Sequence, residues 1–321
     1  MAQLKTFLVV NPQSGNGATG RRFDEISREV RAAIGEFGRA FTERPGHATE
    51  LARRAVEDGY QCVVAVGGDG TTNEVVNGLL DEQGSLLRPG VALGVIPRGT
   101  GGDFRKTFGW SAGLPEAAWR LRGEAVRAID AGRITFVDHQ GAPRSRYFVN
   151  IASAGVSGLV DREVNRASKA LGGKVSFALG SLKALWRYRD VPMRVSFDGG
   201  PARTQPATLV AVANGQYFGG GMWIAPKALP DDGVFDVTLW SDVSLKDFVF
   251  SSKAIYDGSH VGLPKTQCLR AKVVRVEAEG GAEVLLDVDG EQPGRLPATL
   301  EMLPLALRLK VSPVTEPPRP R

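Results

Sequence analysis

Five apolar residues, Cys62-Val63-Val64-Ala65-Val66, run straight into Gly67-Gly68-Asp69-Gly70-Thr71, and a helical pattern, Glu74-Val75-Val76-Asn77-Gly78-Leu79-Leu80, follows at once. A short apolar run without polar alternation is the pattern of a strand buried on both faces of a parallel sheet. This segment therefore commits its part of the chain to alternating strand and helix. Three glycines and an aspartate occupy the strand-to-helix turn. Glycines let backbone approach a ligand closely, and the first turn of a helix offers free N–H groups to an anion. An aspartate in a pure phosphate cradle would repel the phosphate. Its presence points to a cation between the two, as Mg²⁺ stands between carboxylate and nucleotide.

The first third of the chain repeats this grammar. Strands are predicted at Leu4–Val10, Arg39–Thr42, Gln61–Val66 and Val91–Ile96, and helices at Arg21–Ile34, His47–Asp58, Thr71–Leu80, Gly102–Phe108 and Pro115–Arg122. Such alternation implies a parallel sheet with helices on both faces. Ligands of these folds bind beyond the C-terminal ends of the strands. The loops after Val10, Thr42, Val66 and Ile96 all fall at that edge.

From about Ala125 the pattern changes. Strands are predicted at Ala125–Phe136, Arg146–Ile151, Met193–Phe197, Thr208–Ala213, Phe235–Trp240, Cys268–Ala278, Val284–Val288 and Ala298–Leu303, with helices only at Gly158–Ala170, Lys174–Tyr188 and Leu245–Tyr256. A mostly antiparallel β-sandwich is expected. At 321 residues two domains are expected: an α/β domain over 1–124, a β-rich domain over 125–312, and a tail over 313–321 whose four prolines imply disorder.

Composition excludes little. Hydrophobic content of 42% and charge of 23% are ordinary for a globular protein, and the net charge is +5. Between Asp161 and Asp190 seven Lys/Arg stand against three Asp/Glu, which reads as a solvated helix face or as attraction to an anionic membrane. Cys62, in an apparent core strand, and Cys268 make neither a disulfide framework nor a zinc site, so a reducing compartment is expected. Met1–Lys5 lacks the layout of a signal peptide. Gln205–Pro226 carries no charge, but its glycines, Asn214 and Gln216 argue against a membrane span. His47, His139 and His260 form no constellation and read as surface or structural. Tyr217–Trp223, with aromatics on both sides of three glycines, reads equally as a lipid-facing pocket and as a strand end with a loop.

Two familiar patterns are discounted. Gly15–Gly20 fits G-x-G-x-x-G, but Asn11-Pro12-Gln13-Ser14 separates it from its strand. Gly172-Gly173-Lys174-Val175 lacks the hydroxyl residue and the spacing of a Walker loop. More telling is the set of three loops on one edge. Asn11–Gly17 closes the first strand with Ser14 and glycine amides able to meet phosphate oxygens. Gly67–Thr71 closes the third. Pro97-Arg98-Gly99-Thr100-Gly101-Gly102-Asp103-Phe104 closes the fourth.

Together, Asn11–Gly15, Gly67–Thr71 and Pro97–Phe104 resemble the ordered motifs of the diacylglycerol kinase catalytic domain family, which includes soluble bacterial diacylglycerol kinases and the related sphingosine and ceramide kinases. Pro226–Asp236 and Leu286–Glu291 resemble its second-domain signatures, so the likeness spans nearly the whole chain. It implies an α/β nucleotide domain like that of NAD kinases, a β-rich lipid domain, and an active site in the cleft. Residue by residue, Asn11, Pro12, Gln13, Ser14, Gly15, Thr42, Gly67, Gly68, Asp69, Gly70, Thr71, Thr72, Asn73, Thr100 and Asp103 would contact ATP. Asp69 would act near the Mg²⁺–phosphate group. Glu291 would be the proton acceptor. Leu229, Asp232 and Val234 match a structural Mg²⁺ site, the first and last through carbonyls. Gly102 replaces the family's usual asparagine.

The resemblance implies an ATP- and Mg²⁺-dependent kinase that phosphorylates a lipid hydroxyl, diacylglycerol first among acceptors, to give phosphatidic acid. A carboxylate such as Glu291 can accept the hydroxyl proton during phosphoryl transfer. By spacing alone Glu291 reads as a solvated hairpin acid, and Asp287 and Asp289 as assistants or turn formers. The expected setting is the cytoplasm, at most peripheral on the inner face of the membrane, with lipid and ATP as partners, no nucleic acid and no transmembrane segment. Oligomeric state stays open, a homodimer included. An NAD kinase-like enzyme and a non-catalytic nucleotide- or lipid-binding protein remain as alternatives.

Overall fold

The computed structural model describes residues 3–159 and 190–312. The expected helix Lys174–Tyr188, nearly all of the one at 158–170, the Gly172–Val175 segment, the basic stretch before Asp190 and the proline-rich tail lie outside the described residues. Two compact units divide the chain: one runs to Ile129 and resumes at Leu305, the other is Asp130–Pro304.

In the first unit, strands β1 (Thr6–Val10), β2 (Gly38–Phe41), β3 (Cys62–Gly67) and β4 (Ala92–Pro97) alternate with helices α1 (Ala18–Arg21), α2 (Phe23–Ile34), α3 (His47–Glu57), α4 (Asp69–Leu79), α5 (Asp103–Thr107) and α6 (Leu114–Trp119). The strands pair in parallel in the order β2-β1-β3-β4. Val10 lies beside Phe41 and Val66, and Val66 beside Ile96, so the strand ends and the loops after them align. Helix α2 buries Phe23, Ile26, Val30 and Ile34, a stripe at helical spacing, and with α6 it covers Leu8, Val10, Val64 and Val66. Helix α4 starts at Asp69, two residues before the predicted Thr71. Asp69 thus sits in the first turn, where the helix dipole favours a carboxylate.

The second unit is built from β5 (Val126–Asp138), β6 (Pro143–Phe148), β7 (Ile151–Gly155), β8 (Val191–Phe197), β9 (Arg203–Ala207), β10 (Leu209–Ala213), β11 (Phe235–Trp240), β12 (Thr266–Ala271), β13 (Val273–Ala278), β14 (Leu286–Val288) and β15 (Gly294–Lys310), with helices α7 (Leu245–Phe250) and α8 (Ser252–Asp257). One sheet is antiparallel in the order β12-β11-β10-β7-β14. The facing strands run β15-β13-β8-β9, with β5 on β15 and β6 on β5. Inward residues of both, among them Phe148, Val210, Phe235, Val274, Leu286 and Leu300, form one core, with Phe148 stacked on Phe235 at 5.6 Å. The opposite face of the first sheet is also covered: Leu209, Ala211 and Ala213 pack with Ile224, Trp240 and Ile255. Burial on both sides explains the unbroken apolar run Leu209–Ala213. The expected sandwich is present.

Three predicted strands differ from those observed, for local reasons. The run Cys268–Ala278 is two strands in two sheets, because the amides of Lys272 and Val273 both bond to Asp198 Oδ1 at 2.8 Å and leave the ladder. The run Arg146–Ile151 also breaks in two, at amides that bond to Asp289. Both aspartates have positive φ, near 51°. The strand predicted at Ala298–Leu303 extends over 17 residues, Gly294–Lys310. Beyond Leu305 (φ 52°), Leu309 pairs with Leu93 of β4, and Lys310 Nζ bonds to the carbonyl oxygens of Arg122 and Gly123 at 3.2 and 2.8 Å. The C-terminal end of β15 falls in the first compact unit.

Cys62 is buried in β3, and burial pushes its thiol up to about 12; Cys268 is exposed. A thiol titration of the native protein should count one reactive cysteine, and denaturation should release the second. Two fast thiols in the native protein would contradict this packing.

Candidate functional site

Four loops of the first unit meet at the C-terminal edge of its sheet, and side chains stitch them together. Asn11 Nδ2 donates to Thr71 Oγ1 at 3.1 Å, tying the loop after β1 to α4. Within that loop Asn11 Oδ1 accepts from Gln13 N at 3.0 Å, and Ser14 Oγ contacts Asn11 O at 2.9 Å and Thr19 Oγ1 at 2.6 Å. Pro12 is half-buried and Gln13 exposed. The loops after β3 and β4 nearly touch: Arg98 N donates to Gly67 O at 2.6 Å, and a Cβ on Gly99 would lie 2.5 Å from Gly68 Cα. Only glycine allows that approach. Gly70 is half-buried at the start of α4, and Thr100 is exposed.

Asp69 is the chief organiser. Its carboxylate accepts from Asp103 N at 3.0 Å and Phe104 N at 3.4 Å, the first amides of α5. Such bonds satisfy donors that a helix start leaves open. Asp103 in turn pairs with Lys106 at 2.6 Å. Gly102 stands at φ 61° just before α5, a left-handed position that asparagine, the residue it replaces, also tolerates. The loop after β2 is drawn in by Glu74, whose two oxygens accept from Gly46 N and Ala48 N at 2.9 Å each. Glu74 thus fills the start of α3. Thr42 N is spent on Val10 O at 2.8 Å. Thr72 and Asn73 are buried and serve α4 itself: Thr72 Oγ1 reaches Gly68 O at 3.3 Å, and Asn73 accepts from Asn77 Nδ2. These two are helix-internal, unlike the exposed Thr100.

In the second unit Glu291 follows a tight turn. Val288 and Glu291 exchange backbone hydrogen bonds at 2.8 and 3.1 Å, and the residues between, Asp289 and Gly290, both have positive φ. That is the type I′ pattern for which Asp-Gly is suited. Asp289 accepts from Val149 N at 2.9 Å and from Asn150 N and Ile151 N at 3.0 Å each, while Asp287 Oδ1 accepts from Gly290 N at 2.8 Å. The two aspartates therefore shape the turn. Glu291 keeps a side chain 39% exposed, with Oε2 on Arg146 Nη2 at 2.6 Å.

The loop Leu229–Val234 is pinned by Asp130, whose N bonds to Pro230 O at 2.7 Å and whose Oδ2 accepts from Gly233 N at 2.8 Å. Asp232 Oδ1 accepts from Val234 N at 3.3 Å, and its Oδ2 is held by the guanidinium of Arg270, which also lies 3.6 Å from Asp236. Arg270 stands directly across the ladder from Asp236. Mg²⁺ demands a near-octahedral oxygen shell, and the one carboxylate expected to begin it carries an arginine. Among the described residues no group of three or more His, Cys, Asp or Glu is arranged for a metal ion. Leu229, Asp232 and Val234 share this loop, and Asp232 Oδ2 faces Arg270.

Residues 5–134 match the diacylglycerol kinase catalytic domain, and residues 150–311 match the YegS C-terminal NAD kinase beta sandwich-like domain. A diacylglycerol kinase of Mycobacterium tuberculosis is 30% identical over 316 residues, covering 95% of this chain and 94% of that protein. The chain belongs to the diacylglycerol kinase catalytic domain family. A diacylglycerol kinase of Staphylococcus saprophyticus is likewise 30% identical over 293 residues, covering 90% of each chain. Among solved structures, a diacylglycerol kinase from Bacillus anthracis superposes with a TM-score of 0.70 at 24% identity, covering 98% of each chain, a likeness of fold. A second structure from that organism gives a TM-score of 0.75 at 26% identity, covering 98% of this chain and 99% of that one.

For this diacylglycerol kinase-family chain, the sequence pointed to the three glycine loops but missed what joins them to their surroundings. Glu74 carried no signal beyond its helix. Arg146 gave none at all, since its partner lies 145 positions away. The histidines are structural or peripheral. His260 is buried between the carbonyl oxygens of Ala254 and Ile224, and burial holds it below its ordinary range. Tyr217–Trp223 folds back on itself, with Met222 in the core and Tyr217 stacked on Trp223.

The state of the Leu229–Val234 loop has a direct test. Without nucleotide, the thermal unfolding midpoint should be the same in EDTA and in excess Mg²⁺. A saturable rise with Mg²⁺ that Asp232→Asn removes would return a metal to this loop.

Proposed function

We propose that the protein is an ATP- and Mg²⁺-dependent lipid kinase that transfers the γ-phosphate to a lipid hydroxyl, diacylglycerol giving phosphatidic acid. Membership of the family carries kinase chemistry of the diacylglycerol kinase kind; the nucleotide, the metal and the acceptor are the proposal. One observation carries it: the loops after β1, β3 and β4 present glycine backbone, Ser14 and Thr100 at a single sheet edge. That is where an α/β sheet binds phosphates. Arg98 adds a cation there whose guanidinium makes no hydrogen bond among the described residues and whose field reaches Glu25.

The residues present fit a nucleotide with its metal. Asn11 to Gly15, Gly67 to Gly70 and Thr100 would line the phosphates, and Asp69 would act near the Mg²⁺–phosphate group. When bound, Mg²⁺ neutralises charge on the β- and γ-phosphates. Asp69 and the Gly68–Gly99 contact keep the loops fixed, so little reorganisation is needed as charge moves. Glu291 would accept the proton of the lipid hydroxyl, which is a poor nucleophile while protonated.

A lipid acceptor places the reaction at a membrane surface. Among the described residues no helix is long and apolar enough to cross one.

Purified protein with labelled ATP and Mg²⁺ should phosphorylate diacylglycerol in mixed micelles ahead of sphingosine, ceramide, monoacylglycerol and phosphatidylglycerol. No labelled lipid under any condition would sink the reading. Label on NAD would favour a soluble acceptor, and ATP binding without transfer a binding protein. Glu291→Gln should lower turnover by about 10²–10⁴ while ATP binding survives.

A further inference from the structure

Arg146 carries no role in anything derived so far, and yet it holds the residue on which the proposed chemistry turns. It lies in β6, directly across the ladder from Ile134 of β5. Its side chain is 19% exposed, and Nη2 donates to Glu291 Oε2 at 2.6 Å. An ionised donor on an ionised acceptor makes a short, strong hydrogen bond, and a guanidinium keeps its charge throughout. Both partners stand on fixed backbone: Arg146 on a paired strand, Glu291 at the end of a turn held by Asp287 and Asp289.

We infer that Arg146 is a positioning residue for phosphoryl transfer: it fixes the Glu291 carboxylate through Oε2 and leaves Oε1 as the proton acceptor. This rests on the reading of Glu291 above. Among the described residues Oε1 has no hydrogen-bond donor. A free glutamate side chain turns about three bonds and presents either oxygen in many directions. With Oε2 held, only Oε1 can meet a substrate hydroxyl. In the step itself, the hydroxyl oxygen forms the new O–P bond. The bond from the γ-phosphorus to the β–γ bridging oxygen breaks, ADP leaves with that electron pair, and the hydroxyl proton moves to Oε1. Arg146 touches none of the reacting atoms and takes no proton.

The same bond could serve only to hold β6 against the turn, and kinetics separate the two roles. In the diacylglycerol micelle assay, Arg146→Met should lower kcat by about 10²-fold, the scale of a small misplacement of a reacting group. KM for ATP and for diacylglycerol should change little, and so should the thermal midpoint. Arg146→Lys keeps the charge without the planar fork and should recover part of the loss. A purely structural bond would instead lower the midpoint and raise KM, with kcat kept in the folded fraction. Unchanged kcat in both variants while Glu291→Gln is inactive would overturn the role of Arg146 and leave Glu291 in place. Full activity in Glu291→Gln would remove the underlying reading. If Arg146→Met does not fold, Arg146→Lys decides alone: wild-type kcat together with a lowered midpoint overturns the inference.

Discussion

Three consecutive backbone amides, Val149, Asn150 and Ile151, converge on the carboxylate of Asp289, and much of the second unit depends on that convergence. It ends β6, starts β7, and fixes the turn that carries Glu291. Hydrogen bonds to a charged group contribute about 1.5–3 kcal/mol each, and buried amides left without an acceptor cost about 1–3 kcal/mol each. Carboxylates recur wherever the backbone leaves a ladder or opens a helix. Asp198 takes the amides of Lys272 and Val273, Asp69 those of Asp103 and Phe104, and Glu74 those of Gly46 and Ala48. The fold uses acids as acceptors where its secondary structure cannot supply one.

The same habit explains which parts were legible. The first unit was read almost to the residue because its signals are local: apolar runs of five or six residues, amphipathic spacing and glycine turns. The breaks at Asn150 and Lys272 were missed because what ends each strand is an acceptor far off in sequence, about 140 residues away for Asp289 and about 75 for Asp198. Periodicity cannot see such a partner. The length of β15 was missed for a related reason. Its apolar residues Leu307 and Leu309 follow an exposed Leu305 with positive φ, which reads as an ending, although the chain goes on into the sheet of the first unit.

At the site, glycine placement was informative and acid placement was not. Gly68 and Gly99 face each other because no side chain fits between them, a constraint written directly as two glycines. An aspartate or glutamate carries no such mark. Asp69 read as a metal neighbour, and its amide bonds to α5 show a second duty. Asp232 read as a metal ligand and is held by Arg270. Glu291 read as a solvated hairpin acid until the family likeness raised it.

Environment sorts these acids more sharply than spacing does. A carboxylate that accepts several amides fixes the loop that carries them. Asp289, with three donors on its two oxygens, is a structural anion. Asp69 takes one amide of α5 on each oxygen and ties the loop after β3 to the loop after β4. Glu291 differs from both. One oxygen is held by Arg146, the other has no donor among the described residues, and its backbone is locked by the Asp289–Gly290 turn. A proton acceptor must be rigid in position and open at one lone pair. The turn thus separates an acid that holds backbone, Asp289, from one whose carboxylate meets a side chain, Glu291 on Arg146.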